Sequence, residues 1–190
     1  MNVEAKLRTA LRMCAVASVV GCLSAPAAAY TWFTEDALFT SFFPGESTSP
    51  TTWTPTPTEL ATLRTTLGYP VPRASFGWTI AGSEQAPTGF AIIDEQLGQH
   101  EPITFGVKLR ADCVIDRIEV MVYREAYGDG VRAEPFRRQF AGKTARDPLR
   151  VGKDVELVSG ATVSSRSLAT GARRAAVLCE VWRAGLGRVQ

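Results

Sequence analysis

The sequence is poor in the residues that metal and nucleophilic chemistry draw on. It has one histidine, His100, and four cysteines in 190 residues. There is no Cys-x-x-Cys and no Cys/His cluster, so a haem, zinc or iron–sulfur centre lacks a ligand set. Gly-x-Ser-x-Gly is absent, and His100 would be the sole base for a serine nucleophile, which disfavours a hydrolase. Long apolar runs are missing too: Cys14–Leu23 falls well short of the roughly 20 residues that cross a bilayer. Nor does one charge dominate. The chain carries 21 basic and 19 acidic residues, and without residues 1–29 it carries 18 of each, which argues against a nucleic-acid role.

What stands at the N-terminus has the order of a secretory signal. Lys6, Arg8 and Arg12 give a positive start, Cys14–Leu23 an apolar core, and Ala25-Pro-Ala-Ala-Ala29 a small-residue run before Tyr30. Residues 1–29 are therefore expected to be a signal peptide cleaved after Ala29. Val19-Val-Gly-Cys22 also resembles a lipobox, so a lipid anchor on Cys22 is the competing outcome. Either way the mature domain is expected in the periplasm. About 160 residues then remain, enough for one domain with its own core. Export permits a disulfide between the two remaining cysteines, Cys113 and Cys179. Two small buried apolar residues are the other reading, and the sequence leaves the choice open.

Residues 30–74 read as an N-terminal extension with short helices, and 75–190 as the principal domain. The prolines of Ser47–Pro57 exclude a long helix there. Short helices are expected over Glu35–Phe42 and Thr58–Leu67, the latter with Leu60, Leu63 and Leu67 on one face and Gly68 as its stop. Strands follow at Phe76–Ile80, Gly89–Ile93, Pro102–Leu109 and Val114–Tyr123. Their apolar residues alternate most clearly at Ile103, Phe105, Val107, Leu109 and at Ile118, Val120, Val122, the period of a half-buried antiparallel sheet. Ala111-Asp112-Cys113 is the hairpin turn between the last two. Phe136–Phe140 reads as a helical turn. From Ser164 a long helix carries Leu168, Ala172, Ala175, Cys179, Trp182 and Leu186 at helical spacing, with Arg166, Arg173, Arg174 and Arg183 off that stripe. The fold expected is α+β, an antiparallel meander sheet covered by helices with a long C-terminal helix.

Charge is unevenly spread: 11 acidic against 5 basic residues over 30–119, and 7 against 13 over 120–190. In the basic part lies Glu156-Leu-Val-Ser-Gly-Ala-Thr-Val-Ser-Ser165, immediately before the long helix. Gly160 and Ala161 let an anion approach the backbone, and free amides at a helix start favour negative charge. The hydroxyls of Ser159, Thr162, Ser164 and Ser165 can cap or donate. A plain helix cap explains the same residues equally well.

The run Ser159-Gly-Ala-Thr162, with Val163-Ser-Ser165 after it, resembles the flavinylation signature of the FMN-binding domain family. That family includes flavoprotein subunits of sodium-pumping NADH:quinone reductases and small exported electron carriers. Leu97–Ile103, Val122–Glu125, Gln139–Lys143 and Asp147–Arg150 are similar to segments of those carriers. The resemblance implies FMN joined through a phosphoester to Thr162, put there from FAD by a flavin transferase. It implies an electron carrier rather than an enzyme, exchanging electrons with cytochromes or membrane reductases. One position departs from the pattern: the acidic residue is usually Asp and here is Glu156. A module that binds or senses FMN without a bond, or a structural protein of the same fold, are the alternatives.

The resemblance also extends the set of candidate residues. Tyr123 and Glu125, at a strand end, would line the flavin or its ribityl chain, unless they are a solvated terminus. Lys143 would reach the flavin or its phosphate, unless it is a solvated loop lysine. Arg166, in the first helical turn, is a candidate for the phosphate. His100 reads as a loop residue, Phe140 as core, and Trp32 and Trp53 as cover for the sheet. Arg173 and Arg174 read as a solvated face or part of a docking patch for an acidic cytochrome.

Overall fold

The computed structural model describes residues 29–71 and 73–186. The expected signal segment and the lipobox cysteine lie outside the described residues, apart from Ala29. Six antiparallel strands form one sheet: β1 (Tyr30–Thr31), β2 (Thr48–Trp53), β3 (Phe76–Gly82), β4 (Pro87–Leu97), β5 (Pro102–Arg110) and β6 (Ile115–Tyr123). Their order is β1-β6-β5-β4-β3-β2, so β2 to β6 run as a meander and β1 returns to close the far edge. The helices are α1 (Glu35–Phe42), α2 (Pro57–Leu67), α3 (Glu134–Arg137) and α4 (Thr162–Leu186). The α+β architecture is the one the alternating apolar pattern implies.

Alternation decides which side each helix covers. Trp78, Ile80, Phe90, Ile92, Ile103, Phe105, Val107 and Leu109 face α2 and α4 in the main core. Ala81, Ala91 and Met121 point the other way, where Leu38 and Phe42 of α1 and the adjoining Phe43 cover them. Trp182 of α4 stacks on Trp78 with ring centroids 4.9 Å apart and takes Phe90 edge-on at 5.2 Å. Aromatic pairs in these geometries add to plain area burial.

Several local expectations are corrected. Thr48–Trp53 is an edge strand paired along its length with β3, and Pro50 is tolerated because an edge strand need not donate on its outer side. Helix α2 starts at Pro57, ahead of the expected Thr58, because Thr56 and Glu59 form a capping box. Its buried face is Glu59, Leu63 and Leu67, whereas Leu60 is exposed. Arg174 belongs neither to a solvated face nor to a docking patch. It is buried, and its guanidinium pairs with Asp94 while its Nε donates to Asp94 Oδ2 at 2.7 Å. Arg173 donates to the carbonyls of Thr66 and Leu67, where the last turn of α2 leaves acceptors unsatisfied.

Cys113 and Cys179 are joined, with Cα atoms 5.7 Å apart at a sequence separation of 66. The bond ties the β5–β6 turn, where Cys113 has φ +64°, to the middle of α4. Replacing both cysteines by serine should cost about 4 kcal/mol on the chain-entropy estimate for so long a loop. The urea midpoints of the oxidised protein and the double variant measure it.

Candidate functional site

The loop before α4 is held from both sides. Gln139 clamps the backbone of Glu156, its Oε1 accepting from Glu156 N at 2.7 Å and its Nε2 donating to Glu156 O at 3.3 Å. Two residues on, Val158 N donates to Ser165 Oγ at 3.1 Å, and Ala161 N donates to Val158 O at 3.0 Å. Ser165 N then donates to Ala161 O at 2.8 Å, the first bond of the helical ladder. Between these anchors Gly160 turns the chain with φ +75°, and a Cβ there would meet nothing within 4 Å. The turn therefore needs a glycine for its backbone conformation and leaves open space above it.

Ser164 and Ser165 are both buried, so their hydroxyls serve the fold. Tyr123 Oη donates to Tyr127 O at 2.6 Å and lies 2.8 Å from Ser164 Oγ. A phenol has one proton, so Ser164 is the donor in that second bond. Burial first, then the neighbouring Glu125 and Asp129 carboxylates, outweigh the Ser164 hydrogen bond and push the Tyr123 phenol up. It therefore stays a donor. Gly128 lies against this pair: a Cβ there would come 2.6 Å from Tyr123 Oη and 3.0 Å from Ser164 Oγ.

The helical period then leaves Thr162 half-exposed while the two serines turn inward. The amides of Thr162, Val163 and Ser164 find no acceptor among the described residues, as the first turn of a helix requires. One turn on, the Arg166 side chain is exposed and makes no bond to a described residue. It lines a cavity of about 400 Å³ with Leu149, Arg150, Val151, Ala169 and Thr170. Exposed apolar side chains gather at this end as well: Tyr127 (86% exposed), Leu97 (64%), Leu157 (49%) and Val163 (42%). Leu97 is fixed there by Ser167 Oγ, which donates to its carbonyl at 2.6 Å.

Of the residues singled out from the sequence, Ser159, Gly160, Thr162, Glu156 and Arg166 stay accessible around one point, with Ala161 packed beneath them. Three others bond within the chain. Tyr123 is fully buried against Ser164. Glu125 accepts from the amides of His100 and Glu101. Burial alone would raise its carboxyl, but those amides and that of Gln99, with the His100 charge, hold it low. Lys143 pairs with Asp154 at 2.9 Å. Tyr123, Glu125 and Lys143 thus build the frame of the site.

Asp154 is the hub of the loop that walls the 400 Å³ cavity. It accepts from Leu149 N at 3.1 Å, Arg150 N at 2.8 Å and Lys143 Nζ at 2.9 Å. Burial pushes its carboxyl up, but the Arg150 amide, the Lys143 ammonium and the Leu149 amide together hold it below the usual carboxylate range. A depressed folded-state pKa gives stability that is complete above the ordinary Asp value of about 3.9 and disappears as pH falls through the lower folded value. Asp154→Asn should therefore lower stability at pH 6 by about 2 kcal/mol and narrow its deficit relative to the parent at pH 3. Urea titrations at the two pH values measure both.

The family model described as FMN-binding domain matches residues 98–177. Among solved structures the chain is similar to Shewanella oneidensis NqrC, at 17% identity and a TM-score of 0.44, over 65% of this chain and 62% of that one. It thus spans less than two thirds of NqrC. No curated protein matches it. The matched segment runs from the turn after β4 into α4 and takes in Gln139, Asp154 and the whole loop before α4. Residues 98–177 thus match the FMN-binding domain, and that match supports FMN as the cofactor.

Proposed function

We propose that this chain is an exported electron carrier holding FMN through a phosphoester on Thr162. The observation that carries the reading is the selection of one hydroxyl. Of the four in the loop and first helical turn, Ser164 and Ser165 are buried and bonded. Ser159 lies in the turn before the helix. Thr162 alone stands half-exposed on the helix start, beside three amides without acceptors and one turn before the unpaired Arg166. These groups suit a bound phosphate, since helix-start amides and a guanidinium both favour negative charge.

The surroundings also fit the rest of FMN. Space over Gly160 admits a phosphoester without a clash. The apolar collar of Tyr127, Leu157, Val163 and Leu97 and the cavity beside Arg166 offer surface to a flat ring. Once bound, the flavin supplies the redox chemistry, and the protein positions it and sets its electrostatic surroundings. In the loading step Thr162 Oγ1 gives up its proton as it bonds to the flavin-side phosphorus of FAD. The pyrophosphate bond breaks and AMP leaves with the bridging oxygen. Export rests on the order of residues 1–29, and covalent attachment suits a compartment where lost FMN is not readily replaced.

Thr162→Ala should abolish flavin that survives denaturation while leaving the fold and its thermal midpoint unchanged. Protein co-expressed with a flavin transferase is denatured and read by in-gel fluorescence and intact mass. Flavin retained by that variant would move the linkage elsewhere. Glu156→Asp should load as well as the parent or better, and complete loss of loading would show that the motif is misaligned.

A further inference from the structure

Beyond Arg166 the outward face of α4 continues through Thr170 to Arg173, and the loop between α3 and α4 folds alongside it. A second cavity, of about 480 Å³, lies there, lined among others by Tyr69, Arg146, Asp147, Lys153 and Arg173. It shares Leu149, Arg150 and Thr170 with the cavity beside Arg166, so the two form one cleft. The side chains of Arg146, Arg150, Lys153 and Arg166 bond to no described residue. Asp147 is the only carboxylate lining either cavity. It accepts from Thr144 N at 2.7 Å and Thr144 Oγ1 at 2.8 Å, bonds that hold it charged and turned toward its own loop. Tyr69 Oη, at the wall, is a buried hydroxyl with no hydrogen-bond partner.

We infer that this cleft is the docking surface for an acidic protein partner. Signal-free, the chain has equal numbers of positive and negative residues, yet four uncompensated cations share this one face. They are spread along it: from Thr162 to Thr170 the helix rises about 12 Å, a span that several carboxylates on a protein surface match and one small anion does not. Exposed cations of this kind steer encounter and fix orientation while the contact stays reversible, as a carrier needs. The cleft opens on the same helix face as Thr162, so a partner seated there lies beside the attachment point. Only that last consequence rests on the flavin reading; the binding itself does not.

Fluorescein-labelled deca-glutamate, titrated with the mature protein and followed by anisotropy, is the test. At low salt Arg146→Gln/Lys153→Gln should weaken binding about tenfold, and 0.15 M salt should weaken the parent by a similar factor, as expected for screened surface charges. Arg138→Gln/Arg183→Gln removes the same charge outside the cleft and should change affinity less than about twofold. Thermal midpoints check folding, with Lys153→Gln alone as the substitute should the double variant unfold. Equal losses in both pairs, absence of binding, or displacement of the peptide by equimolar inorganic phosphate would overturn the proposal. Intact mass on the same samples reads flavin independently. Protein that stays bare after co-expression with a flavin transferase, yet binds the peptide as expected, would refute the covalent carrier and leave the docking surface standing.

Discussion

The hydrogen bonds that pin the first turn of α4 set everything near it. Ser165 is tied to the loop through Val158 N, and Ser164 to the sheet through Tyr123, the last residue of β6. Both hydroxyls are buried, and a buried polar group left unpaired costs more than a paired one gains. The turn therefore has one low-energy rotation about its axis. That rotation leaves Thr162 and Arg166, a turn apart, facing outward. Which hydroxyl stays accessible is thus decided by its neighbours, which are occupied.

Charge follows the same economy of positions. Most buried or half-buried carboxylates are used to hold elements together: Asp94 with Arg174 of α4, Glu119 with Arg137 of α3, Asp154 with Lys143. Each such pair takes a cation out of solvent as well. The C-terminal part of the chain holds 13 basic and 7 acidic residues, so pairing leaves cations over. They emerge where the loop around Asp154 meets the outer face of α4. A neutral sequence acquires a basic face because the fold brings Arg146, Arg150, Lys153 and Arg166 together with one carboxylate among them.

The architecture was largely legible in the sequence. Period-two alternation marked β5 and β6, and short runs bounded by turn residues marked β3 and β4, although β4 runs on to Leu97; the apolar stripe of α4 from Leu168 to Trp182 is buried. Strand β2 was hidden because Ser, Thr and Pro carry no alternation; pairing to β3 creates it. The start of α2 was readable in Thr56-Pro-Thr-Glu59, a capping-box sequence. At the site, the attachment loop was visible but the duties of its neighbours were not. Tyr123, Glu125 and Lys143 are polar residues at element ends, and only tertiary placement shows that each bonds inward. Gln139 stood out only through the resemblance of Gln139–Lys143 to the exported carriers, since a side-chain amide clamping a distant backbone leaves no periodicity. The cluster of Arg146, Arg150 and Lys153 was present as an excess of charge in one loop, but its meeting with α4 depends on the fold.

Glu156 shows where the logic of the fold stops. Its backbone is fixed at both N and O by Gln139, so the position of the residue in space is determined. Its carboxylate is exposed and bonds to no described residue. A shorter acid there would leave every hydrogen bond of the loop in place, so the fold does not discriminate between Asp and Glu. The backbone is held rigidly while the side chain is offered to solvent beside Ser159 and Gly160. That combination suits a residue read by a second protein, and it separates two kinds of requirement within one short motif. Gly160, Ala161 and Ser165 answer to the conformation of this chain, whereas Glu156 and Thr162 face outward to whatever acts on it.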